Sequence, residues 1–599
     1  MKARAVLALL LVTTLVAIAY QIRTAQRPAE LRSLTAYVPQ DALLTIESPD
    51  FASLLHKWTS STECKAWFAS DNYNVFQNSR LFGRLSDAQD SFAKAAGIPT
   101  GVDLLNGIAG KESVFAWYDI GKLEFLYITR MPAAQADQSQ LFKSRGSFQR
   151  RHAGNSDFYI RTSGTDYSTV AFALVPAPSG ELVVLATRED LIANALTLIA
   201  AASPANSIRQ EPWFRDVSAA LPAENPAPVL HMVLNLDRIA VDPHFRSYWI
   251  QRNITWTHQF RAAASDLYVE PTRFREERVL LPKSPESQPS TPLNIASLAA
   301  LVPPSTGVFR IVATQDPSIA VTAIQEKLLG SYTAPPTDPE YAPDPSLQAP
   351  QSGSASDLET RIDTLPPVSP SASTDGLTHI FQTANIDAVL TLSSAQSPPE
   401  SNGLWVPIRS AVILHAANPW NSQTMALALQ QALRGSLTAA TIGINFQPTD
   451  NAGSTIYALA SPRPVFFAIS STPAQGNLVL LADDQPLLLE LLHNLVTNPP
   501  DKAPTPATSI AVFNHSSQRA PYIQLTSLID GTNNQARGSG NATATGLNRN
   551  AGITSAPAFF SRNIRSLSDT FAILQSERIV ERPVGSNLRQ TVTYVWQTP

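Results

Sequence analysis

Residues 180–196, GELVVLATREDLIANAL, and residues 476–492, GNLVLLADDQPLLLELL, follow one pattern without a gap. Each reads Gly-x-Leu-Val-x-Leu-Ala, then a polar turn, then a leucine-rich stretch. Glycine suits a tight turn because it has no Cβ. The apolar run after it reads as a buried strand, and the acids ahead of the leucines read as a helix start. Gly180 and Gly476 are therefore expected in hairpin turns, after the strands TVAFALV (Thr169–Val175) and VFFAISS (Val465–Ser471).

Further matches follow in the same order. Ser33-Leu34-Thr35-Ala36-Tyr37-Val38-Pro39 corresponds to Ser297-Leu298-Ala299-Ala300-Leu301-Val302-Pro303. Strands Ala42–Glu47 and Gly307–Val312 come next, then Pro49-Asp50 or Asp316-Pro317 ahead of a helix. LEFLYITR (Leu123–Arg130) corresponds to SAVILHAA (Ser410–Ala417), and VLHMVLNL (Val229–Leu236) to SIAVFNH (Ser509–His515). Arg252-Asn253-Ile254 and Arg562-Asn563-Ile564 each introduce an expected helix, near Thr255–Ala264 and Arg565–Ile573, ahead of terminal strands. Order and spacing agree, so duplication of a module of roughly 250 residues is the expectation. Strands in hairpin pairs separated by single helices predict an α+β fold: two diverged copies, each mainly antiparallel sheet with helices packed on one face. The expected division is a leader at 1–30, a first module at 31–281, a linker at 282–292 and a second module at 293–599. Within the second, the Pro/Ser-rich stretch 334–374 is expected to be disordered, and the Gly/Asn-rich stretch 530–552 to form a flexible loop.

The leader is short and basic, Met1-Lys2-Ala3-Arg4, and is followed by the apolar run Ala5–Tyr20. That is the layout of a secretory signal, and Ala17-Ile18-Ala19 offers a small-x-small cleavage site. As a helix the run spans about 24 Å, somewhat less than a bilayer core of about 30 Å. Cleavage after Ala19 and retention as a single-pass inner-membrane anchor are both open at this point. Either way Lys2 and Arg4 keep the N-terminus inside and the rest is exported to the periplasmic side.

Composition excludes some classes. With 44 Lys+Arg against 48 Asp+Glu, a net charge of −4 and no basic run, a polyanion-binding surface for nucleic acid is not expected. The single cysteine, Cys64, rules out an intramolecular disulfide and a Cys-rich zinc site.

Chemistry-bearing residues are scattered. No two of the nine histidines show the His-Glu-x-x-His spacing. His231, Asp237, Asp242 and His244 lie close in sequence, but strand alternation would scatter them across faces, so structural roles are expected. His415 sits within an apolar strand. Arg537-Gly538-Ser539-Gly540 only superficially resembles a nucleophile elbow and lies in a low-complexity stretch. Glu189-Asp190 and Asp483-Asp484 precede helices, where capping explains them. Cys64 lies beside Lys65 without an assignable base. The aromatics Trp58, Trp67, Phe68, Tyr73, Phe76 and Phe82, and Trp117-Tyr118, Tyr248-Trp249 and Trp256, read as core and interface rather than a ligand groove. No catalytic, cofactor-binding or metal-binding residue is assigned.

Val38-Pro39-Gln40-Asp41-Ala42-Leu43 and the following Pro49-Asp50, behind a leader, resemble an exported bacterial family known as a domain of unknown function. The likeness covers mainly the first 60 residues and the Gly-x-Leu-Val-x-Leu-Ala unit. The second half departs from it, since no Asp follows Val302-Pro303 at the matching place. The resemblance implies export but no reaction and no catalytic residues. The expectation is a non-enzymatic envelope module that binds a protein, lipid or glycan or serves structurally; the alternative is an envelope hydrolase whose residues converge only in space.

Overall fold

The computed structural model describes residues 33–596 except 242–257, 285–294, 330–373, 397–407, 435–444, 499–505, 522–573 and shorter breaks of at most four residues. The leader, Asp242, His244, Tyr248-Trp249, Trp256, both Arg-Asn-Ile triplets, most of the linker and nearly all of 334–374, and all of 530–552, lie outside these residues. The fold is α+β, with extensive antiparallel sheet and many helices. No helix among the described residues is long and apolar enough to cross a membrane.

The chain divides into two compact units, one of residues 1–57 and 85–215, the other of residues 58–84 and 216–599. In the first, β1 (Leu44–Ser48), β2 (Ser113–Asp119), β3 (Glu124–Arg130), β4 (Gln149–Ala153), β5 (Ser156–Thr162), β6 (Thr169–Ala177) and β7 (Gly180–Ala186) are all antiparallel. Their order across the sheet is β1-β2-β3-β7-β6-β5-β4.

The second unit holds β8 (Leu230–Asn235), β9 (Phe260–Glu270), β10 (Arg273–Pro282), β11 (Val308–Ala313), β12 (Ile386–Ala395), β13 (Ile408–Ala416) and β14 (Gln447–Asn451). It continues with β15 (Ser454–Leu459), β16 (Val465–Thr472), β17 (Gly476–Ala482), β18 (Ser509–Asn514), β19 (Leu574–Val584) and β20 (Asn587–Trp596). These run β8-β9-β10-β20-β19-β18-β11-β12-β13-β17-β16-β15-β14, again all antiparallel. The stretch from β11 to β14 repeats the order found in the first unit.

Helices cover both sheet faces, not one. In the second unit Ala320, Ile324, Phe381, Met425 and Leu429 pack with Val412, Phe467, Val479 and Leu481. Leu298, Leu487 and Leu491 pack with Leu390, Ile413, Leu478 and Leu480 on the opposite side. Successive residues of a strand point to opposite faces. The runs AVIL (411–414) and LVLLA (478–482) are apolar at every position, so each face needs its own cover. In the first unit Ala95, Ile108, Leu141 and Phe142 pack with Phe172, Val183 and Leu185, and the helix Glu189–Ala200 rests on β6 and β7. The helix expected up to Ala264 is also corrected: Phe260 opens β9, because cross-strand pairing to both β8 and β10 satisfies its backbone.

Gly180 and Gly476 open β7 and β17 at the hairpin turns, as the pattern implied. Gly476 has φ +73°, and a Cβ there would lie 2.4 Å from His415 Nε2. Gly453, at φ +85°, has open space around it. Gly453→Ala is expected to cost about 1 kcal/mol of backbone strain, and Gly476→Ala about 2–3 kcal/mol because His415 must also move. Thermal or urea midpoints of the two variants check the difference; equal shifts would refute the His415 contact.

Candidate functional site

Among the described residues, an extended cluster of charged side chains lies on one face of β8, β9, β10, β20 and β19. Its centre is Glu277, whose side chain is only 4% exposed. Cross-strand register places Asp266, Glu277, Thr591 and Val580 in one row. A second row holds Tyr268, Arg275, Thr593 and Arg578, and a third holds Ala264, Val279, Arg589 and Arg582. Alternate residues of paired strands share a face, which gathers groups more than three hundred positions apart in the chain.

Glu277 accepts hydrogen bonds from Arg275 Nη1 at 2.8 Å, Arg589 Nε at 3.0 Å and Thr591 Oγ1 at 2.9 Å. Arg275 also donates to Glu224 and Glu270, at 2.5 and 3.2 Å, and lies 4.4 Å from the Tyr268 ring centroid. These bonds, led by the one to Glu224, hold its guanidinium charged more firmly than usual. Burial pushes the Tyr268 phenol up to about 12. His231 Nδ1 and Asp266 Oδ1 are 2.6 Å apart. A buried carboxylate is tolerated when its lone pairs are met by cationic donors, and Glu277 satisfies that condition.

The groups singled out in the sequence are dispersed. Asp237 pairs with Lys283 at 2.8 Å rather than joining His231, and no metal-ligand group of three or more His, Cys, Asp or Glu occurs among the described residues. Asp484 caps the helix Gln485–Thr497 by accepting from Leu487 N at 2.9 Å. Asp483 instead accepts from Ser410 N at 2.8 Å. Glu189 pairs with Arg151, and Asp190 with Arg188. Cys64 is buried in the helix that Ser61 caps. Tyr73 contacts Phe68, Trp67 and Phe82 edge-on, with centroids 4.9, 6.2 and 6.4 Å away, while Trp58 and Phe68 are half exposed.

His415 faces Asp387 through Nδ1, the start of a catalytic dyad in form. Among the described residues no hydroxyl or thiol hydrogen-bonds its other ring nitrogen. Arg130 and Glu112 hold the matching place in the first unit: Arg130 pairs with Leu182 as His415 pairs with Leu478.

Sequence reading missed the charged face because its rows are set by pairing between distant strands. The one available signal was the alternation of RFREERV, whose charges fall on both faces of a strand.

No family model matches the chain, and no curated protein matches it. The crystal structures of TP0453 in forms I and III are similar at 13% and 12% identity. Each likeness covers 42% of this chain and 80% of TP0453, with a TM-score of 0.23; at that score it carries no argument about fold or function.

Replacing Glu277 with Ala is expected to lower stability by about 3–5 kcal/mol, because Arg275 and Arg589 lose a shared buried counter-charge. Glu189→Ala, which breaks an exposed pair with Arg151, is expected to cost less than about 1 kcal/mol. Chemical denaturation of both variants tests the contrast, and similar losses would refute it.

A pH dependence follows from Asp483. Burial, helped by Asp484, raises its carboxyl from 3.8 to about 6. Between those values the folded chain holds a proton that the unfolded chain has released, so stability falls as pH rises from about 4 to 6. Asp483→Asn keeps an acceptor for Ser410 N and is expected to flatten that part of the stability–pH curve. An unchanged slope in the variant would refute the assignment.

Proposed function

We propose that this chain is an exported envelope protein made of two diverged copies of one module, and that it works by binding or as a structural element, without catalysis. The duplication is supported by the repeated strand order and by matching side chains within it. Phe148, Tyr159 and Phe172 form an aromatic trio with centroids 5.0 and 5.5 Å from Phe172. Phe446, Tyr457 and Phe467 form another, at 5.1 and 4.6 Å from Phe467. In each trio the tyrosine stacks on the central phenylalanine while the other phenylalanine meets it edge-on. The backbone N–H of Phe125 donates to Thr187 Oγ1 at 2.9 Å and that of Ser410 to Asp483 Oδ1 at 2.8 Å, again at matching places.

One observation carries the non-enzymatic reading. The His415–Asp387 pair stands where the other half has Arg130–Glu112, so its geometry is explained by side-chain pairing between neighbouring segments that needs no nucleophile. Export rests on the basic start and the apolar run Ala5–Tyr20. The molecule then faces the periplasmic side, either anchored in the inner membrane or released, with an envelope protein, lipid or glycan as partner. The module boundary belongs in the connection near residues 282–292, between the two sets of matching elements.

Fractionation with N-terminal sequencing tests export. A mature start at Tyr20 gives the released form, and Met1 retained in the membrane pellet gives the anchored form. An intact chain found wholly in the cytoplasm overturns the proposal. Turnover of an ester, peptide or glycan substrate that Asp387→Asn abolishes would overturn the non-catalytic part in favour of a hydrolase.

A further inference from the structure

The hairpins β9–β10 and β19–β20 pair with each other through β10 and β20, with Glu277 opposite Thr591. Counting outward from that point, Arg275 and Arg589 occupy corresponding positions, and both reach the Glu277 carboxylate. Their surroundings then differ. Arg275 pairs in register with Tyr268, which stacks on it, and also binds Glu270 near the hairpin end. Arg589 pairs in register with Arg582, and Val584 occupies the place that corresponds to Glu270. A second guanidinium thus replaces the ring, and an apolar group replaces the acid.

Like charges directly opposite each other on paired strands destabilise a sheet. Arg582 is half-buried, and its Nε is shielded from solvent without a hydrogen-bond acceptor among the described residues. Burial and Arg589 both disfavour its charged form. Arg578 lies on the same face four residues along β19, exposed and opposite Thr593. The nearby carboxylate of Glu277 is already engaged by Arg275, Arg589 and Thr591, so it does not meet the donors of Arg582. Arg582 and Arg589 thus face each other across β19 and β20, and Arg578 lies on the same face about 13 Å along β19, beyond Val580, so this hairpin presents three guanidiniums with fewer acidic groups than the matching hairpin holds.

We propose that Arg578, Arg582 and Arg589 form a binding site for an anion of the phosphate class, borne by a lipid headgroup or by free phosphate. Planar guanidinium forks match phosphate oxygens in pairs. A phosphate group also brings several oxygens and up to two charges, which suits three donors better than the two oxygens and single charge of a carboxylate. The hydroxyl of Thr593 stands in register with Arg578 to serve as a further donor. The site itself does not depend on the envelope reading; only its lipid source does.

The test is thermal unfolding of the full chain in non-ionic detergent, titrated with inorganic phosphate and with monomeric short-chain phosphatidylglycerol, against chloride at matched ionic strength. A saturable rise in melting temperature with at least one phosphate compound is expected. Arg582→Gln is expected to weaken that binding at least about tenfold, a loss of about 1.4 kcal/mol, while leaving the unliganded melting temperature unchanged or higher. Arg578→Gln, at an exposed position, gives a second reading should Arg582→Gln fold poorly. A stronger response to phosphatidylglycerol assigns the headgroup, and a response to phosphate alone assigns the free ion. No rise with either compound, or a rise that both variants leave intact, overturns the proposal. The export reading is decided separately by fractionation.

Discussion

The second unit depends on the contact between β10 and β20, and that contact is organised around a buried carboxylate. Glu277 lies between two arginines, one from each hairpin, with a threonine hydroxyl completing its acceptor bonds. Removing a carboxylate from water costs several kcal/mol, so the position is tolerable only when cationic donors converge on it. The same pairing joins the meander β8-β9-β10 to β20-β19-β18 and, through β11, to the strands that follow. Residues 216–282 consequently belong to the same compact unit as the end of the chain.

Around that contact the sheets are built in a simple way. Their central strands are apolar on both faces, and helices supply a layer on each side. The outer strands β4 and β14 are short and polar, with Arg150, Arg151 and His152 on one and Pro448 and Asp450 on the other. Charges and proline at an edge discourage further strand addition. Each outer hairpin is secured by a stacked tyrosine and an edge-on phenylalanine against a buried phenylalanine of β6 or β16. Chemistry-bearing groups are absorbed into this construction: Asp484 caps a helix, Asp483 and Thr187 bind a strand N–H, and His415 pairs with Asp387 of the neighbouring strand.

The parts legible in sequence were local. The hairpin turns at Gly180 and Gly476 and the cap at Asp484 each arise within a few residues, so their signals lie side by side in the chain. The helix expected up to Ala264 failed because alanines and a serine in β9 carry little preference of their own, and pairing with β8 and β10 decided the matter. The one-face arrangement failed because a hairpin pattern says which strands pair but not how many layers an apolar sheet requires. The charged face was invisible, since Glu277 and Arg589 become neighbours only when two hairpins meet in one register.

Sequence alone determined the recurring strand–turn–helix pattern, the antiparallel α+β class and the polar turns, because propensity, periodicity and capping act over short distances. Tertiary structure decided which strands became neighbours, which faces were covered and which charges met. Those outcomes depend on register between segments hundreds of residues apart, where a shift of one residue would turn every side chain to the other face.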